Sequence, residues 1–489
     1  MNASLGKWRQ RFWPIEGFEL KKFFALFLLK FLISLNYSIV TNLKDAIIIT
    51  ADNSGAETIT TVKGFVVLPF AILYTVVFAK LSNHFKRSTL FYGIIGFFML
   101  FYFLYGFVVY PHLDFFSPSA SADLLTAKIG SQYQHYVALY RYWMHALFFT
   151  QSEMWGSVVI FLLFWGFTNQ ILEMGEAKRF YALFSAGGNL ATIAAGFLTM
   201  HFARSYNNYL QTLQGSLLVF IMIGFLIMAL YFWISRRMLK TGSSKLAVLA
   251  NLAEAKTKLS LKEGFLYVAR SKYLLALAVM LICYSLTVNI VEVTWKAHLK
   301  LQYTSPGSYQ AFISQVNTLV GVVALLIAFF LSSNIVRFLG WKKSALLCPL
   351  IIGFTSLSFL FLVLNYRHLP AGWLAFSPAL AVVFYGAVQN ISTKALKYAL
   401  FDPTKEMAFI PLDQEAKVKG KAAIDVIGSR LGKSGSSYLQ MFLLFLVGSG
   451  SILEATSLII PIVAVVLTAW ILALRSIGKK VEEKTGAAA

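Results

Sequence analysis

Long apolar segments follow one another along almost the whole chain, and each is long enough to cross a lipid bilayer as a helix. Such a helix takes about 20 residues, and it satisfies its own backbone polar groups inside the hydrocarbon. Charged residues make up 13% of the chain, against about 25% in soluble domains. The sequence therefore predicts an all-α membrane protein with twelve transmembrane helices, at 23–50, 62–82, 88–110, 145–172, 180–202, 215–235, 273–298, 309–332, 342–364, 375–400, 424–449 and 453–475.

Lysine and arginine concentrate in alternate loops between these segments. The net charge is +22, and its basic residues follow the positive-inside rule. This distribution indicates that they orient the chain in the membrane and do not bind nucleic acid. We therefore expect both termini on the cytoplasmic side and no nucleic-acid partner. The segment from Phe23 is too long for a signal-peptide core and lacks a cleavage pattern, so we expect it to remain as the first helix.

A basic stretch after the sixth segment divides the chain into two sets of six. The predicted domains are an N-terminal half at 1–235, a cytoplasmic linker at 236–272, a C-terminal half at 273–475 and a cytoplasmic tail at 476–489.

Short sequence matches recur in the same order in both halves. Two parallel halves with the substrate at their interface are the major-facilitator arrangement, and the repeat predicts that arrangement here. The clearest match pairs Tyr37, Ser38, Asn42 and Asp45 with Tyr284, Ser285, Asn289 and Glu292 at identical spacing.

Charged residues inside the apolar segments are the candidate functional residues. A charge near the membrane centre costs about 3 kcal/mol on insertion scales, so it usually faces a water-filled cavity or a partner. These residues are Lys44, Asp45, Glu153, Glu292 and Lys433.

Several of these charges have structural alternatives. Glu292 shares a helical face with Asn289 and Lys296, so it is either a cavity carboxylate or one half of an i,i+4 ion pair. Lys44 and Asp45 are neighbours that point in different directions, and they are either cavity charges or interfacial residues.

Glu153, in SEMWGS, also has two interpretations. It is either a cavity carboxylate or a first-turn glutamate that complements the helix dipole, with Ser152 as the cap.

Lys433 lies in GSRLGKSGSS, which is close to a phosphate-binding loop. The Walker A pattern needs one more residue than the stretch from Gly428 to Gly432 provides, so nucleotide hydrolysis is not expected. A lysine near a helix start can still hold phosphate as a point charge. Lys421, in KVKGKAAID, is the alternative for this contact.

Catalytic, metal and cofactor sites are not indicated. Cys283 and Cys348 lie in apolar segments without metal or disulfide spacing, and the histidines are scattered. We expect no enzyme activity, no metal and no cofactor. Lysines beside carboxylates instead favour transport of an organic anion with other polar groups, such as a phosphorylated molecule.

Several longer motifs resemble those of the nucleotide transporter (ATP/ADP translocase) family, which occurs in chlamydiae, rickettsiae and plastids. The resemblance covers nearly the whole chain. The motifs are TNLKDA, EMWGS, FWGFTNQ, EAKRFYALF, NIVEVTWK, LFDPTKEMAFIPLD, KVKGKAAIDV and LGKSG.

The resemblance implies an exchange of ATP for ADP plus phosphate by alternating access, in a bacterial inner membrane. Because some family members import other nucleoside triphosphates with protons, or take NAD, a proton-coupled importer is the alternative. A monomer is expected by default for this architecture. The implied substrate-binding residues are Lys44, Glu153, Glu292 and Lys433; the residue patterns add Asp45, Asn289 and Lys421.

Overall fold

The computed structural model describes residues 15–172, 174–238, 268–330, 332–369, 376–409 and 432–485, with the single positions 412 and 424. These residues form helices, turns and connecting segments and include no β-strand. The helices are α1 (Leu20–Ile49), α2 (Ala56–His84), α3 (Arg87–Phe116), α4 (Ser119–Ile129), α5 (Gln134–Arg141), α6 (Trp143–Asn169), α7 (Met174–Ser205), α8 (Tyr209–Met238), α9 (Lys272–Gln302), α10 (Pro306–Phe330), α11 (Ser332–Asn365), α12 (Pro378–Leu396), α13 (Gly432–Val447) and α14 (Thr456–Thr485).

Ten of the described helices are long and apolar enough to cross a membrane. They correspond to the predicted spans except 375–400 and 424–449, where the described helices are α12 and α13. The all-α membrane fold is thus confirmed, whereas the count of twelve spans stays a prediction. Most of the predicted linker, 239–267, and the end of the predicted tail, 486–489, lie outside the described residues.

Two hydrophobic cores organise the helices. The first draws on residues of α1–α8, the segment before them and Leu172 between α6 and α7, and in it Trp155 packs between Phe98 and Phe220. The second draws mainly on α9–α14, with Trp341 and Trp470 fully or almost fully buried. We call the helices α1–α8 the N-terminal bundle and α9–α14 the C-terminal bundle.

The two bundles meet along α7 and α10. Gly196 and Gly321 allow this approach, because a Cβ at Gly196 would lie 2.8 Å from the Ser314 carbonyl oxygen and one at Gly321 would lie 2.9 Å from that of Asn189. Small residues at a membrane-helix contact permit close packing of this kind.

Buried polar groups join the same helices. Asn42 Nδ2 donates to Thr199 Oγ1 at 2.9 Å, and Thr199 Oγ1 lies 2.8 Å from Ser314 Oγ. Asn317 Nδ2 donates to Asn42 Oδ1 at 2.7 Å. Hydrogen bonds inside a membrane protein are satisfied by partners on neighbouring helices, so this network fixes how α1, α7 and α10 fit together.

The bundles are also joined at the end of the molecule where α1 ends and α2 begins, which we call the distal end. The Lys300 ammonium donates to the Ser54 carbonyl oxygen. The Ile452 backbone N–H donates to Glu57 Oε1 at 2.9 Å. Both bonds cross from one bundle to the other, so the distal end is closed in this conformation.

Candidate functional site

Charged side chains from both bundles converge between them in two chains of alternating sign. One chain runs from Lys433 through Glu153 to Lys44, and the other connects Asp45, Lys296, Glu292 and Lys394. We call these chains the Glu153 cluster and the Lys296 cluster.

The Glu153 cluster connects α1, α6 and α13. Glu153 accepts a hydrogen bond from Lys44, and its other carboxylate oxygen lies 3.5 Å from Lys433 Nζ. Lys44 also lies over the Phe149 ring, with Nζ 4.3 Å from the centroid. The side chain of Lys433 is 55% exposed, whereas that of Lys44 is 7% exposed, so the cluster leads from open space into the protein interior.

The Lys296 cluster connects α1, α9 and α12. Lys296 Nζ lies 2.8 Å from Asp45 Oδ2 and 3.3 Å from Glu292 Oε1, and Lys394 Nζ lies 3.5 Å from the same glutamate oxygen. The side chains of Lys296 and Asp45 are each 6% exposed. Two carboxylates thus share one buried lysine, which is compatible with charge in a poorly solvated place.

Buried tryptophans hold the two glutamate-bearing helices in position. Trp155 Nε1 donates to the Ile33 carbonyl oxygen at 3.0 Å, and Trp295 Nε1 donates to that of Val383 at 3.0 Å. Each indole is anchored on its own bundle. The nearby Glu153 and Glu292 project from these anchored helices to the interface between the bundles.

A fifth lysine of the site, Lys63, lies on α2. Its Nζ donates to Asn289 Oδ1 at 3.1 Å. Asn289 is itself held in place, since its Nδ2 donates to the Ser285 carbonyl oxygen at 2.8 Å. Lys63 is therefore bound across the interface to a neutral acceptor.

Two of these charges lie beside π-helical turns. Lys63 begins the π-helix Lys63–Val67, and Glu153 precedes the π-helix Trp155–Phe164. Such segments often occur at functional sites. In α2 the Gly64 carbonyl oxygen accepts a hydrogen bond at 3.0 Å from the Tyr438 hydroxyl of the other bundle.

The structure brings together six of the seven residues selected from the sequence: Lys44, Asp45, Glu153, Glu292, Asn289 and Lys433. The seventh, Lys421, lies outside the described residues. A role for any of them in substrate binding stays a prediction.

The structural alternative for Glu153 is wrong. α6 begins at Trp143, so Glu153 lies well inside it, and Ser152 Oγ donates to the Phe148 carbonyl oxygen at 2.8 Å instead of capping a helix. Lys44 and Asp45 are buried, and each is paired with a residue of another helix. Their depth in the membrane stays a prediction. The predicted Glu292–Lys296 pair exists, but Lys296 lies nearer to Asp45.

Sequence reasoning missed Lys63 and Lys394 as members of the site and treated Lys296 only as a pairing partner. Lys63 stands next to the predicted start of the second span at 62, which made it look like a terminal residue. α2 begins earlier, at Ala56, which places Lys63 inside the helix. The signal available was a single lysine within TVKGFV, between apolar residues.

The described part of the site offers charge recognition and no metal centre. The described residues contain no group of histidine, cysteine or carboxylate side chains that could hold a metal ion. Five lysines face three carboxylates, so the site carries net positive charge. An anion that displaces the carboxylates from the lysines is the ligand that this arrangement favours.

A cavity of about 550 Å³ elsewhere in the molecule differs in character. It lies between α2 and α3 and is lined by apolar and neutral side chains, including Leu73, Val77 and Phe97. It lacks the charged groups of the interface and is not the candidate site.

Comparison with known proteins identifies close sequence relatives. The family model described as TLC ATP/ADP transporter matches residues 1–481. "ADP,ATP carrier protein 1" of Chlamydia muridarum is 41% identical over 476 residues, which cover 96% of this chain and 89% of the relative. "ADP,ATP carrier protein 1" of Rickettsia typhi is 35% identical over 97% of this chain and 96% of the relative. "ADP,ATP carrier protein 1, chloroplastic" of Arabidopsis thaliana is 38% identical over 95% and 74%.

Solved structures share the fold at low sequence identity. A D-xylose-proton symporter superposes with a TM-score of 0.58 at 13% identity, over 94% of this chain and 97% of that one. A bacterial homologue of the iron transporter ferroportin, in an inward-facing state, gives 0.56 at 15% identity, over 96% and 100%. The fold is therefore major-facilitator-like, as the internal repeat predicted.

Proposed function

The chain belongs to the TLC ATP/ADP transporter family, and on this basis we propose that it exchanges ATP for ADP across a membrane by alternating access. The names of its bacterial and plastid relatives support the nucleotides as substrates. The single structural observation that carries the proposal is the positively charged site between the two bundles. A lysine that is paired with a carboxylate can exchange it for a phosphate oxygen, because both form charge-assisted hydrogen bonds with an ammonium group.

Lys44 and Lys433 are the proposed phosphate contacts. Both lie at Glu153, and one belongs to each bundle. Phosphate oxygens would take the place of the Glu153 carboxylate, which holds the two lysines when no nucleotide is bound. Glu292 and Asp45 hold Lys296 in the same way, and Asn289 adds a neutral polar group beside them.

Exchange follows from the ion pairs that cross the interface. Lys433–Glu153 and Lys296–Asp45 both join the N-terminal bundle to the C-terminal bundle. Without an anion these pairs hold the bundles in one arrangement. Breaking the buried Lys296–Asp45 pair costs about 3–5 kcal/mol, whereas the pair of the half-exposed Lys433 with Glu153 contributes less. A bound nucleotide supplies replacement partners for the lysines, so the loaded protein can change conformation while the empty one resists it.

The closed distal end supports rocking of two bundles about the site. Lys300–Ser54 and Ile452–Glu57 bond the bundles on one side of the charge clusters. In the proposed cycle these bonds open when access changes sides. We take the predicted halves, 1–235 and 273–475, as the two moving bodies. We further propose that the protein is a monomer in a bacterial membrane with both termini at the cytoplasmic face, and that phosphate is transported together with ADP.

The test is uptake of labelled ATP by cells that express this chain, in competition with unlabelled ADP, GTP, UTP and NAD. We expect ADP to compete as well as ATP, and the other compounds to compete at least tenfold more weakly. If an uncoupler abolishes the uptake, the protein is a proton-coupled importer. If NAD blocks the uptake as well as ATP does, the protein transports NAD. Either result would contradict the proposed exchange of ATP for ADP.

A further inference from the structure

Lys63 differs from the other lysines of the site in its partner. Lys296, Lys394 and Lys433 each have a carboxylate oxygen within 3.5 Å, and Lys44 is hydrogen-bonded to Glu153. Within the part of the chain that the structure describes, Lys63 makes no ion pair, and its Nζ donates to the amide oxygen of Asn289 at 3.1 Å. Its positive charge is therefore available without displacement of a carboxylate.

The position of Lys63 places it between the two clusters. Its partner Asn289 lies one turn before Glu292 on α9, at 3.1 Å from Lys63 Nζ. The next residue, Gly64, accepts a hydrogen bond at 3.0 Å from Tyr438 on α13, the helix that carries Lys433. A chain of phosphates that begins at Lys44 and Lys433 can therefore extend toward Lys63. The π-helix Lys63–Val67 and the bond from Tyr438 to Gly64 fix this part of α2 against the opposite bundle.

We propose that Lys63 binds the terminal phosphate of the nucleotide and thereby selects nucleoside di- and triphosphates over monophosphates. This inference rests on the proposed function, because it takes Lys44 and Lys433 as contacts for the inner phosphates. A nucleoside monophosphate occupies only the Lys44 and Lys433 end of the site and gains nothing from Lys63.

The bond to Asn289 is suited to replacement by phosphate. An amide oxygen is a neutral acceptor, whereas a phosphate oxygen carries charge and forms a stronger bond with an ammonium group. Asn289 keeps its own bond to the Ser285 carbonyl when Lys63 leaves, so its amide stays in place. When phosphate replaces Asn289 as the partner of Lys63, no buried carboxylate is left without its lysine.

The experiment is equilibrium binding of ATP, ADP, AMP and inorganic tripolyphosphate to the purified full chain in lipid nanodiscs. A hydrogen bond to a charged group changes a dissociation constant by roughly 10- to 100-fold. Lys63→Gln should weaken ATP, ADP and tripolyphosphate by that factor and leave AMP unchanged. Lys63→Arg should keep the preference for ATP over AMP.

Two further variants separate recognition from structure. Lys80→Gln removes an exposed lysine on the same helix and should leave every affinity unchanged. Tyr438→Phe removes the bond that holds Gly64 against the opposite bundle and should preserve the ratio of ATP to AMP affinity. If Tyr438→Phe lowers that ratio as Lys63→Gln does, Lys63 matters only through the contact between the bundles, and the inference is wrong.

The remaining outcomes distinguish the inference from the proposed function. An unchanged ATP to AMP ratio in Lys63→Gln overturns the inference even if wild-type protein exchanges ATP for ADP. A wild-type protein that binds neither ATP nor tripolyphosphate also overturns it. Tripolyphosphate binding that depends on Lys63, in a protein that does not take up ATP, supports the inference and refutes the proposed exchange.

Discussion

The substitution Asp45→Asn tests whether ion pairs across the interface hold the observed conformation. Asparagine keeps the size of the side chain and removes its charge. Lys296 then keeps only Glu292, at 3.3 Å, in place of two carboxylates. The lost pair joins α1 of one bundle to α9 of the other. Its loss therefore destabilises the conformation in which the two bundles are closed at the distal end.

The expected magnitude follows from the geometry of the pair. At the 2.8 Å between Lys296 Nζ and Asp45 Oδ2, and at an effective dielectric constant of about 20, the Coulomb attraction is about 6 kcal/mol. Removing one partner of a buried pair costs about 3–5 kcal/mol after solvation is included. Since Glu292 still compensates Lys296, we take the lower value, about 3 kcal/mol, which shifts a conformational equilibrium by roughly 100-fold.

The assay is a distance measurement between spin labels on cysteines introduced at Leu124 and Leu301. These side chains are exposed, on α4 and at the end of α9, whereas the native Cys283 and Cys348 are buried. We expect wild-type protein to give mainly the short distance of the closed distal end. Asp45→Asn should make a longer distance the major population.

A matched control removes an ion pair that lies within one bundle. Asp402→Asn breaks the pair with Lys397, at 3.8 Å, between the π-helix Lys397–Phe401 and the helix Asp402–Met407, which continue α12 within the C-terminal bundle. It should leave the distance distribution unchanged. An unchanged distribution in Asp45→Asn, or an equal shift in Asp402→Asn, would refute the idea that the interface pairs hold this conformation.

Two further predictions concern the distal end. Lys300→Met removes the hydrogen bond to the Ser54 carbonyl and should shift the same spin-label distances in the same direction by roughly tenfold in population, whereas Lys300→Arg should not. His135, on α5, is 5% exposed, and neither ring nitrogen has a hydrogen-bond partner among the described residues. Burial lowers the pKa of His135 from 6.5 to about 4. As the pH falls, the unfolded chain therefore takes up the proton before the folded protein does. At pH 5 this lowers the free energy of unfolding by about 2 kcal/mol. His135→Phe should therefore reduce the drop in thermal unfolding temperature between pH 7.5 and pH 5, and an identical drop in both proteins would contradict this reading.

The fold was predictable because membrane spans are encoded locally. An apolar segment of about 20 residues defines a helix without knowledge of its neighbours. The internal repeat added tertiary information, since it matched Asp45 with Glu292, and the structure places both carboxylates on Lys296. Two matched acids that converge on one lysine are the outcome expected of a shared central site.

The pairing of the charges was not predictable in the same way. Lys44 and Glu153 are separated by 109 positions, and only the packing of α1 against α6 brings them together. The errors arose where helix boundaries decided the interpretation. The predicted second span began at 62 and made Lys63 look terminal, whereas α2 begins at Ala56. For Glu153 the sequence left a first-turn position open, and the start of α6 at Trp143 excludes it.

Uptake of labelled ATP into proteoliposomes, with and without ADP inside, tests the exchange and its site together. Wild-type protein should take up ATP only when ADP or ATP is inside. Lys44→Ala should reduce that uptake at least tenfold, because it removes the proposed phosphate contact at Glu153, whereas Lys80→Ala should have no effect. Equal uptake into empty vesicles, or normal uptake by Lys44→Ala, would contradict nucleotide exchange at the interface of the two bundles.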